Sequence, residues 1–332
     1  MAGMQSTAIP RQPSRTTRRL ASCAIALTVL LATSAFKPGV RPEQRSTILI
    51  SWDGAGGERV REAVAAGRLP NVARLAREGA LVDIYVTGHP TDTKPGHAQM
   101  LTGYDPSITG VYTNSRFRPI PQGYTIFERL HQTFGKKGLA TIMLTGKGPN
   151  LGSLTPAGGV GEPFAQSRAS ITVWDGDRIR SARNIGERAL RYIKRFASKG
   201  RFLLFVHFPD VDVAGHTNGE DAEEYIEAMV DCDGWIGRML AALDDEGASD
   251  RTLVYLTADH GFDKGTKRHT EAMHIFLATN DPSVSGPGEQ RDITPTVLSA
   301  MGVDLTKIVP RLPGRTLAEQ ATPACLQGRP GR

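Results

Sequence analysis

Residues 47–57 read Thr-Ile-Leu-Ile-Ser-Trp-Asp-Gly-Ala-Gly-Gly, an apolar run that ends in an acid and a glycine-rich turn. A short, continuously apolar run of this kind is typical of a buried parallel strand. Open α/β sheets bind their ligands at the carboxyl ends of such strands. The stretch therefore predicts an α/β fold, with Asp53 as a candidate ligand-binding acid.

The same pattern recurs along the chain. Further apolar runs are predicted to form strands at 80–86, 139–144, 201–208, 252–257 and 272–278. Helical segments lie between most of these strands, which predicts one doubly wound, mainly parallel central sheet flanked by helices. We predict a single domain at 46–320, preceded by a linker at 36–45 and followed by a flexible tail at 321–332.

The first 35 residues differ in composition from the rest. Four arginines between positions 11 and 19 precede an apolar run at 20–32 and the small residues Thr33-Ser34-Ala35. This order is typical of a secretory signal peptide. We therefore predict export to the periplasm or the extracellular space, and we expect no stable membrane span after the leader is cleaved. An uncleaved membrane anchor is the alternative.

The leader also accounts for much of the positive charge. It holds four of the 40 Lys and Arg residues and none of the 34 Asp and Glu residues, which leaves 36 against 34 in the mature chain. A net charge of about +2 on the mature chain gives no reason to expect a nucleic-acid partner. Cys232 and Cys325 are the cysteines left after the leader, and an exported protein could pair them or leave them free.

Acids and histidines follow several of the predicted strands. Asp212 and His216 follow the strand at 201–208, Asp259 and His260 follow the strand at 252–257, and His269 lies in the next loop. Each residue alone has an ordinary explanation as a turn acid, a cap or a loop histidine. Because parallel strands end at one edge of the sheet, these residues together with Asp53 are expected to converge there. Mixed Asp and His ligands in this number suit a two-metal site.

A second stretch could supply a nucleophile. Residues 91–103 read Thr-Asp-Thr-Lys-Pro-Gly-His-Ala-Gln-Met-Leu-Thr-Gly, which predicts a tight loop that leads into a short helix. Thr93 is then at the helix N-terminus, where unpaired N–H groups favour an anion. Capping of the helix is the simpler role for Thr93, but nearby metal ligands would favour a nucleophile.

These motifs resemble the alkaline phosphatase superfamily, and specifically its type I phosphodiesterase / nucleotide pyrophosphatase branch, over roughly residues 46–305. The similarity includes the Thr-x-Thr-x-Pro motif at 91–95, the glycine- and proline-containing stretch at 102–110, and Asn114. The resemblance implies a centre of two divalent ions. Zn²⁺ is the expected ion, and Mn²⁺ or Mg²⁺ is the alternative. The residues implied for one ion are Asp212, His216 and His269. The residues implied for the other are Asp53, Asp259, His260 and the hydroxyl of Thr93.

The resemblance further implies that Thr93 is the nucleophile and that Asn114 donates to a phosphoryl oxygen. Lys94 is a candidate substrate-binding residue at a position where the branch often has an aromatic residue. His97 replaces a small or polar residue, and only nine positions separate His260 from His269. These departures make the chain a minimal version of the branch, so its substrate can differ.

The resulting hypothesis is a phosphodiesterase or nucleotide pyrophosphatase that acts on a small-molecule phosphate ester through a phospho-threonine intermediate. A phosphomonoesterase or a sulfatase-like hydrolase is the first alternative, with Lys94 or Arg116 available to bind a more highly charged phosphate. Of the phosphomonoesterase and the sulfatase, the sulfatase is less well supported, because Thr93 stands where sulfatases need a Cys or Ser. The alternative from another class is an exported, non-catalytic binding protein with a vestigial metal site.

Overall fold

A single eight-stranded sheet runs through the computed structural model, which describes residues 40–152 and 162–318. The strands are β1 (Ser46–Trp52), β2 (Ala80–Tyr85), β3 (Ala140–Thr145), β4 (Val173–Asp175), β5 (Phe202–Phe208), β6 (Thr252–Thr257), β7 (His274–Thr279) and β8 (Gly288–Glu289). Their order across the sheet is β4-β3-β5-β1-β6-β7-β2-β8. The strand β1 is buried at all seven positions, as its continuous apolar run predicts.

The central pairings are parallel. Ile48 of β1 lies beside Leu204 of β5 and Val254 of β6. The strand β7 runs antiparallel to both of its neighbours, β6 and β2, which makes the sheet mixed. The prediction of a mainly parallel central sheet flanked by helices is therefore confirmed. The short strands β4 and β8 were not predicted, because two or three residues carry no readable periodicity.

Ten α-helices connect the described strands. They are α1 (Gly57–Ala65), α2 (Pro70–Glu78), α3 (Thr93–Thr102), α4 (Pro106–Thr109), α5 (Ile126–Gly138), α6 (Gly148–Leu151), α7 (Ala182–Phe196), α8 (Asp210–Asn218), α9 (Glu223–Asp245) and α10 (Ile293–Ala300). The helices α1, α2, α7 and α8 pack against α9, whereas α3 and α5 pack against α10. In the part of the chain that the structure describes, no helix has both the length and the apolar character that a bilayer crossing needs.

Local composition predicts loops in two segments that are partly helical. The segment with Asp212 and His216 contains Pro209 and Gly215, but it forms the helix α8 directly after β5. Residues 146–170 are rich in Gly, Pro and Ser, but their described part includes α6 and a 3₁₀ helix at Ala165–Ser170. These helices are short, so composition favours a loop where tertiary contacts support a helix.

Several predictions lie outside the described residues. They concern the signal peptide at 1–35, part of the linker at 36–45, the tail at 321–332 and Cys325. Within the described part of the linker, Pro42–Gln44 form a 3₁₀ turn. Cys232 is buried in α9.

Candidate metal centre and active site

Three of the predicted ligands form a first group beside α8. Asp212 and His216 are four residues apart on this helix, so their side chains project from the same side. The Nε2 atom of His216 lies 3.4 Å from Asp212 Oδ1 and 3.2 Å from Nε2 of His269. One ligand atom from each of the three residues lies within 4.8 Å of the other two. This spacing is suitable for a single cation with mixed nitrogen and oxygen ligands.

A second group lies at the carboxyl ends of β1 and β6. The Nε2 atom of His260 lies 3.7 Å from Asp53 Oδ1 and 3.4 Å from Asp259 Oδ2. Asp53, His260 and Asp212 also have ligand atoms within 4.8 Å of one another. Asp212 therefore lies between the two groups, and the six predicted Asp and His ligands form one continuous cluster.

The donor atoms of this cluster fit divalent cations. Four of them are buried and receive no hydrogen bond of normal geometry from the described residues: Asp53 Oδ1, Asp212 Oδ1, Asp259 Oδ2 and His260 Nε2. Buried polar atoms without a partner are costly in a folded protein. Four such atoms in one cluster could be satisfied by divalent cations, since carboxylate oxygen and imidazole nitrogen are common metal ligands.

The carboxylates differ in how their surroundings affect their charge. Burial alone would raise the pKa of Asp53, but Lys147 and His207 hold this pKa well below its usual value. Burial and the nearby Asp53 carboxylate raise the pKa of Asp259 to about 7. Burial would lower the pKa of His260, but Asp259 and Asp53 raise it. The cluster therefore combines ionised carboxylates with groups that must release protons when a cation binds.

The N-terminus of α3 lies against this cluster. The hydroxyl of Thr91 donates to the backbone carbonyl of His269. A Cβ atom on Gly96 would lie 2.6 Å from the carbonyl oxygen of Asp259, so only glycine permits this approach. Thr93, the first residue of α3, is between these two contacts in sequence and is 3% exposed. The predicted nucleophile thus belongs to a segment that contacts His269 through Thr91 and packs against Asp259 at Gly96.

The buried side chain of His97 fixes the backbone at Thr93. Its Nδ1 lies 2.8 Å from the carbonyl oxygen of Thr93, and its Nε2 lies 2.9 Å from the hydroxyl of Ser51. Burial and the neighbouring His207 lower the pKa of His97 to about 3, so the ring is neutral. A neutral ring satisfies both contacts when Nδ1–H donates to Thr93 and Nε2 accepts from Ser51. His97, first noticed as a departure from the family pattern, is therefore a support for the α3 N-terminus.

Asn114 is fixed to the same helix N-terminus. Its Oδ1 accepts from the backbone N–H of Lys94 at 2.9 Å, and its own backbone N–H donates to Asp92 Oδ2 at 2.9 Å. With Oδ1 used in this way, the amide nitrogen is the atom that could donate to a substrate. The backbone N–H of Lys94, which could have bound a phosphoryl oxygen, is committed to Asn114 in this structure.

The side chain of Lys94 has partners of its own. Its ammonium lies 3.0 Å from Glu162 Oε2 and 3.6 Å from the centre of the Phe117 ring. The Lys94 and Glu162 side chains are 9% and 12% exposed. Lys94 thus lies near the nucleophile but has its charge balanced by Glu162, which makes it a poor clamp for an additional phosphate charge.

Two residues that touch the cluster were not identified from the sequence. Lys147 Nζ lies 2.9 Å from Asp53 Oδ2 and 2.5 Å from Asp212 Oδ2. His207 Nε2 lies 2.8 Å from Asp53 Oδ2, and His207 Nδ1 accepts from the N–H of Gly146. His207 is the polar residue within the otherwise apolar strand β5, which is a usable sequence indication. Lys147 follows β3 in a glycine-containing segment. Nothing in this local sequence indicates that its side chain contacts the cluster.

The aromatic ring of Phe262 explains the glycines in two ligand motifs. A Cβ atom on Gly54, which has a φ of +75°, would lie 2.8 Å from the Phe262 ring, and one on Gly215 would lie 2.6 Å from it. The same ring packs edge-on against His216 at 5.0 Å and His269 at 5.4 Å between centroids. The glycines after Asp53 and before His216 therefore make room for the ring that supports the histidines.

Comparison with known proteins gives one extensive family match. The model of the family described as type I phosphodiesterase / nucleotide pyrophosphatase matches residues 47–297. A pyrophosphatase/phosphodiesterase of Schizosaccharomyces pombe, itself uncharacterised, is 22% identical over 255 residues, which are 72% of this chain and 49% of that protein. The chain thus spans about half the length of this curated relative.

Solved structures of related fold include hydrolases of two kinds. A phosphonate monoester hydrolase from Silicibacter pomeroyi has a TM-score of 0.57 and 16% identity, and the match covers 82% of this chain and 76% of that one. A structure described as a 2-O GAG sulfatase has a TM-score of 0.60 and 16% identity, with coverage of 83% and 73%. At these identities the structural similarity establishes the fold alone.

Proposed function

This chain belongs to the type I phosphodiesterase / nucleotide pyrophosphatase family of the alkaline phosphatase superfamily, and we propose that it is a two-metal phosphodiesterase with Thr93 as its nucleophile. The observation that carries the proposal is the continuous cluster of six Asp and His residues beside the N-terminus of α3. Enzymes of this superfamily use two divalent metals. The complete ligand set, with four unpartnered buried donor atoms, favours a working metal centre over a vestigial one.

The residues divide between two cation positions. Asp212, His216 and His269 would hold one ion, and Asp53, Asp259, His260 and the Thr93 hydroxyl would hold the other. Divalent ions in such a centre lower the pKa of a hydroxyl or a water and neutralise charge on phosphoryl oxygens. We propose Zn²⁺ as the native ion, with Mn²⁺ or Mg²⁺ as substitutes.

The chain's own residues then account for the chemistry. The Thr93 hydroxyl loses its proton, and its oxygen forms a bond to phosphorus as the bond from phosphorus to the leaving oxygen breaks. The leaving oxygen takes up a proton to become the alcohol, and Thr93 becomes a phospho-threonine diester. The Asn114 amide donates to a non-bridging oxygen, where negative charge develops. A water then attacks phosphorus and gives up a proton, and the Thr93–phosphorus bond breaks. The Thr93 oxygen regains a proton, and the phosphate monoester is released. His97 keeps the backbone of Thr93 in place for both displacements.

The surroundings of Thr93 favour a diester over the alternatives. A phosphate monoester carries an additional negative charge, and the nearby Lys94 ammonium is already balanced by Glu162. A sulfatase of this superfamily needs a Cys or Ser where this chain has Thr93.

The leader sequence at 1–35 supports a further proposal, that the enzyme acts on small-molecule phosphate esters in the periplasm or outside the cell.

A panel of p-nitrophenyl esters tests this preference. We expect the mature protein, loaded with defined divalent metal, to hydrolyse bis-p-nitrophenyl phosphate with a higher kcat/KM than p-nitrophenyl phosphate or p-nitrophenyl sulfate. A Lys94→Met variant serves as the matched comparison, because it leaves Glu162 unpaired and should weaken binding of the monoester further. Faster turnover of the monoester by the unmodified protein would replace our proposal with a phosphomonoesterase.

A further inference from the structure

We propose that the positive charge of Lys147 limits how tightly the centre holds its metal ions. The inference rests on the proposed metal centre and concerns a residue outside its ligand set. Lys147 contacts one carboxylate from each group of ligands, Asp53 at 2.9 Å and Asp212 at 2.5 Å. A single ammonium therefore links the two halves of the cluster.

The backbone of Lys147 is fixed before its side chain enters the cluster. Its own N–H donates to the Thr145 hydroxyl at 3.2 Å, and Lys147 forms an isolated antiparallel bridge with Ile179. The glycines on either side pack too closely for any side chain. A Cβ atom on Gly146 would lie 2.5 Å from Pro209, and one on Gly148 would lie 2.6 Å from the backbone of Arg178. The ammonium is thus delivered to the cluster by a rigid segment.

Lys147 contacts one oxygen of each carboxylate and leaves the other free of its charge. It lies against Oδ2 of Asp53 and Oδ2 of Asp212, while the buried Oδ1 atoms of both residues have no hydrogen bond of normal geometry from the described residues. The ammonium thereby leaves one oxygen of each carboxylate for a cation. The same arrangement places a positive charge next to both cation positions, where it repels a divalent ion.

The repulsion outweighs the orienting effect, because other contacts already orient the carboxylates. His207 donates to Asp53 Oδ2 at 2.8 Å, and Asp212 is fixed on α8 four residues before His216. Loss of Lys147 therefore costs little orientation and removes a competing charge. Lys147 also balances the carboxylates when no metal is present, so it stabilises the metal-free fold at the expense of metal affinity.

The test compares Zn²⁺ and Mn²⁺ affinity in the wild type, Lys147→Met and Arg201→Met, measured by competition with a chelator. We expect Lys147→Met to lower the Kd by about tenfold or more, as a nearby unit charge is removed, and to lower the Tm of the metal-free protein. Arg201→Met removes a half-buried cation that precedes β5, at the edge of the sheet opposite the cluster, and donates to the carbonyls of Arg45 and Met301. It should therefore leave the metal Kd unchanged even where it lowers the Tm.

A second variant covers the case in which metal-free Lys147→Met does not stay folded. Lys147→Arg keeps the positive charge, so its metal affinity should be near that of the wild type. All of the proteins can be compared by metal release from the loaded form.

Equal or weaker metal affinity in Lys147→Met than in the wild type overturns the role of Lys147 alone. Failure of the wild type to bind either ion overturns the proposed metal centre itself.

Discussion

The Thr93→Ala variant is expected to lose at least about a thousandfold in kcat towards a phosphodiester, because removing a covalent nucleophile costs this much or more. Metal content should stay near the wild-type level, since the Asp and His ligands are untouched. The Tm should change little, because Thr93 supplies one hydroxyl at the start of α3. Steady-state kinetics, elemental analysis and thermal melting give the three measurements.

Two variants control for the loss of a buried hydroxyl. Thr93→Ser keeps a hydroxyl at the same position and should retain measurable turnover. Thr102→Ala removes a hydroxyl that donates to the carbonyl of Ala98 at the other end of the same helix. The folded fraction of the Thr102→Ala protein should have the wild-type kcat, even if this variant is less stable. Near-normal turnover in Thr93→Ala would show that Thr93 is not the nucleophile.

The second large effect is expected from removal of divalent metal. A chelator should lower kcat by about a thousandfold or more, because bound ions contribute several kcal/mol to stabilising charge in the transition state. Adding Zn²⁺ back should restore activity and raise the Tm, since a ligand that binds only the folded state stabilises it. His260→Ala should not be restored by Zn²⁺. His274→Ala removes a histidine that pairs with Asp83 outside the cluster and should behave as the wild type.

Metal removal should also become easier at acid pH. The raised pKa of Asp259, about 7, means that this carboxyl is mostly protonated below that pH and must lose its proton to bind a cation. Apparent affinity for Zn²⁺ should therefore fall as the pH decreases from 8 to 5, with proton release during binding below pH 7. Full activity after exhaustive chelation, at any pH in this range, would contradict the metal-dependent mechanism.

The strand-end residues show what the sequence could predict. Asp53, Asp259 and His260 follow strands with continuous apolar runs, and such strands are predictable because burial on both faces leaves a clear pattern. Their convergence then follows from the parallel arrangement of β1 and β6. The family resemblance added what spacing alone could not: the division of the ligands into two groups and the roles of Thr93 and Asn114.

Other parts of the centre depend on tertiary contacts that no local pattern shows. The helix α8 begins immediately after a strand and includes Gly215, so its composition favoured a loop, although its contacts with α9 support a helix. Lys147 enters the cluster because two glycines allow its backbone to pack against Pro209 and Arg178. The partnership of Lys94 with Glu162 joins residues far apart in sequence, so the sequence alone left the role of Lys94 undecided.

The stereochemistry of the reaction tests the central claim most directly. A diester that is made chiral at phosphorus by one sulfur atom can be hydrolysed in isotopically labelled water, and the configuration of the product can then be determined. Attack by Thr93 followed by attack of water comprises two in-line displacements, each of which inverts phosphorus. We therefore predict net retention of configuration. Net inversion would show that water attacks directly, and it would contradict a phospho-threonine intermediate.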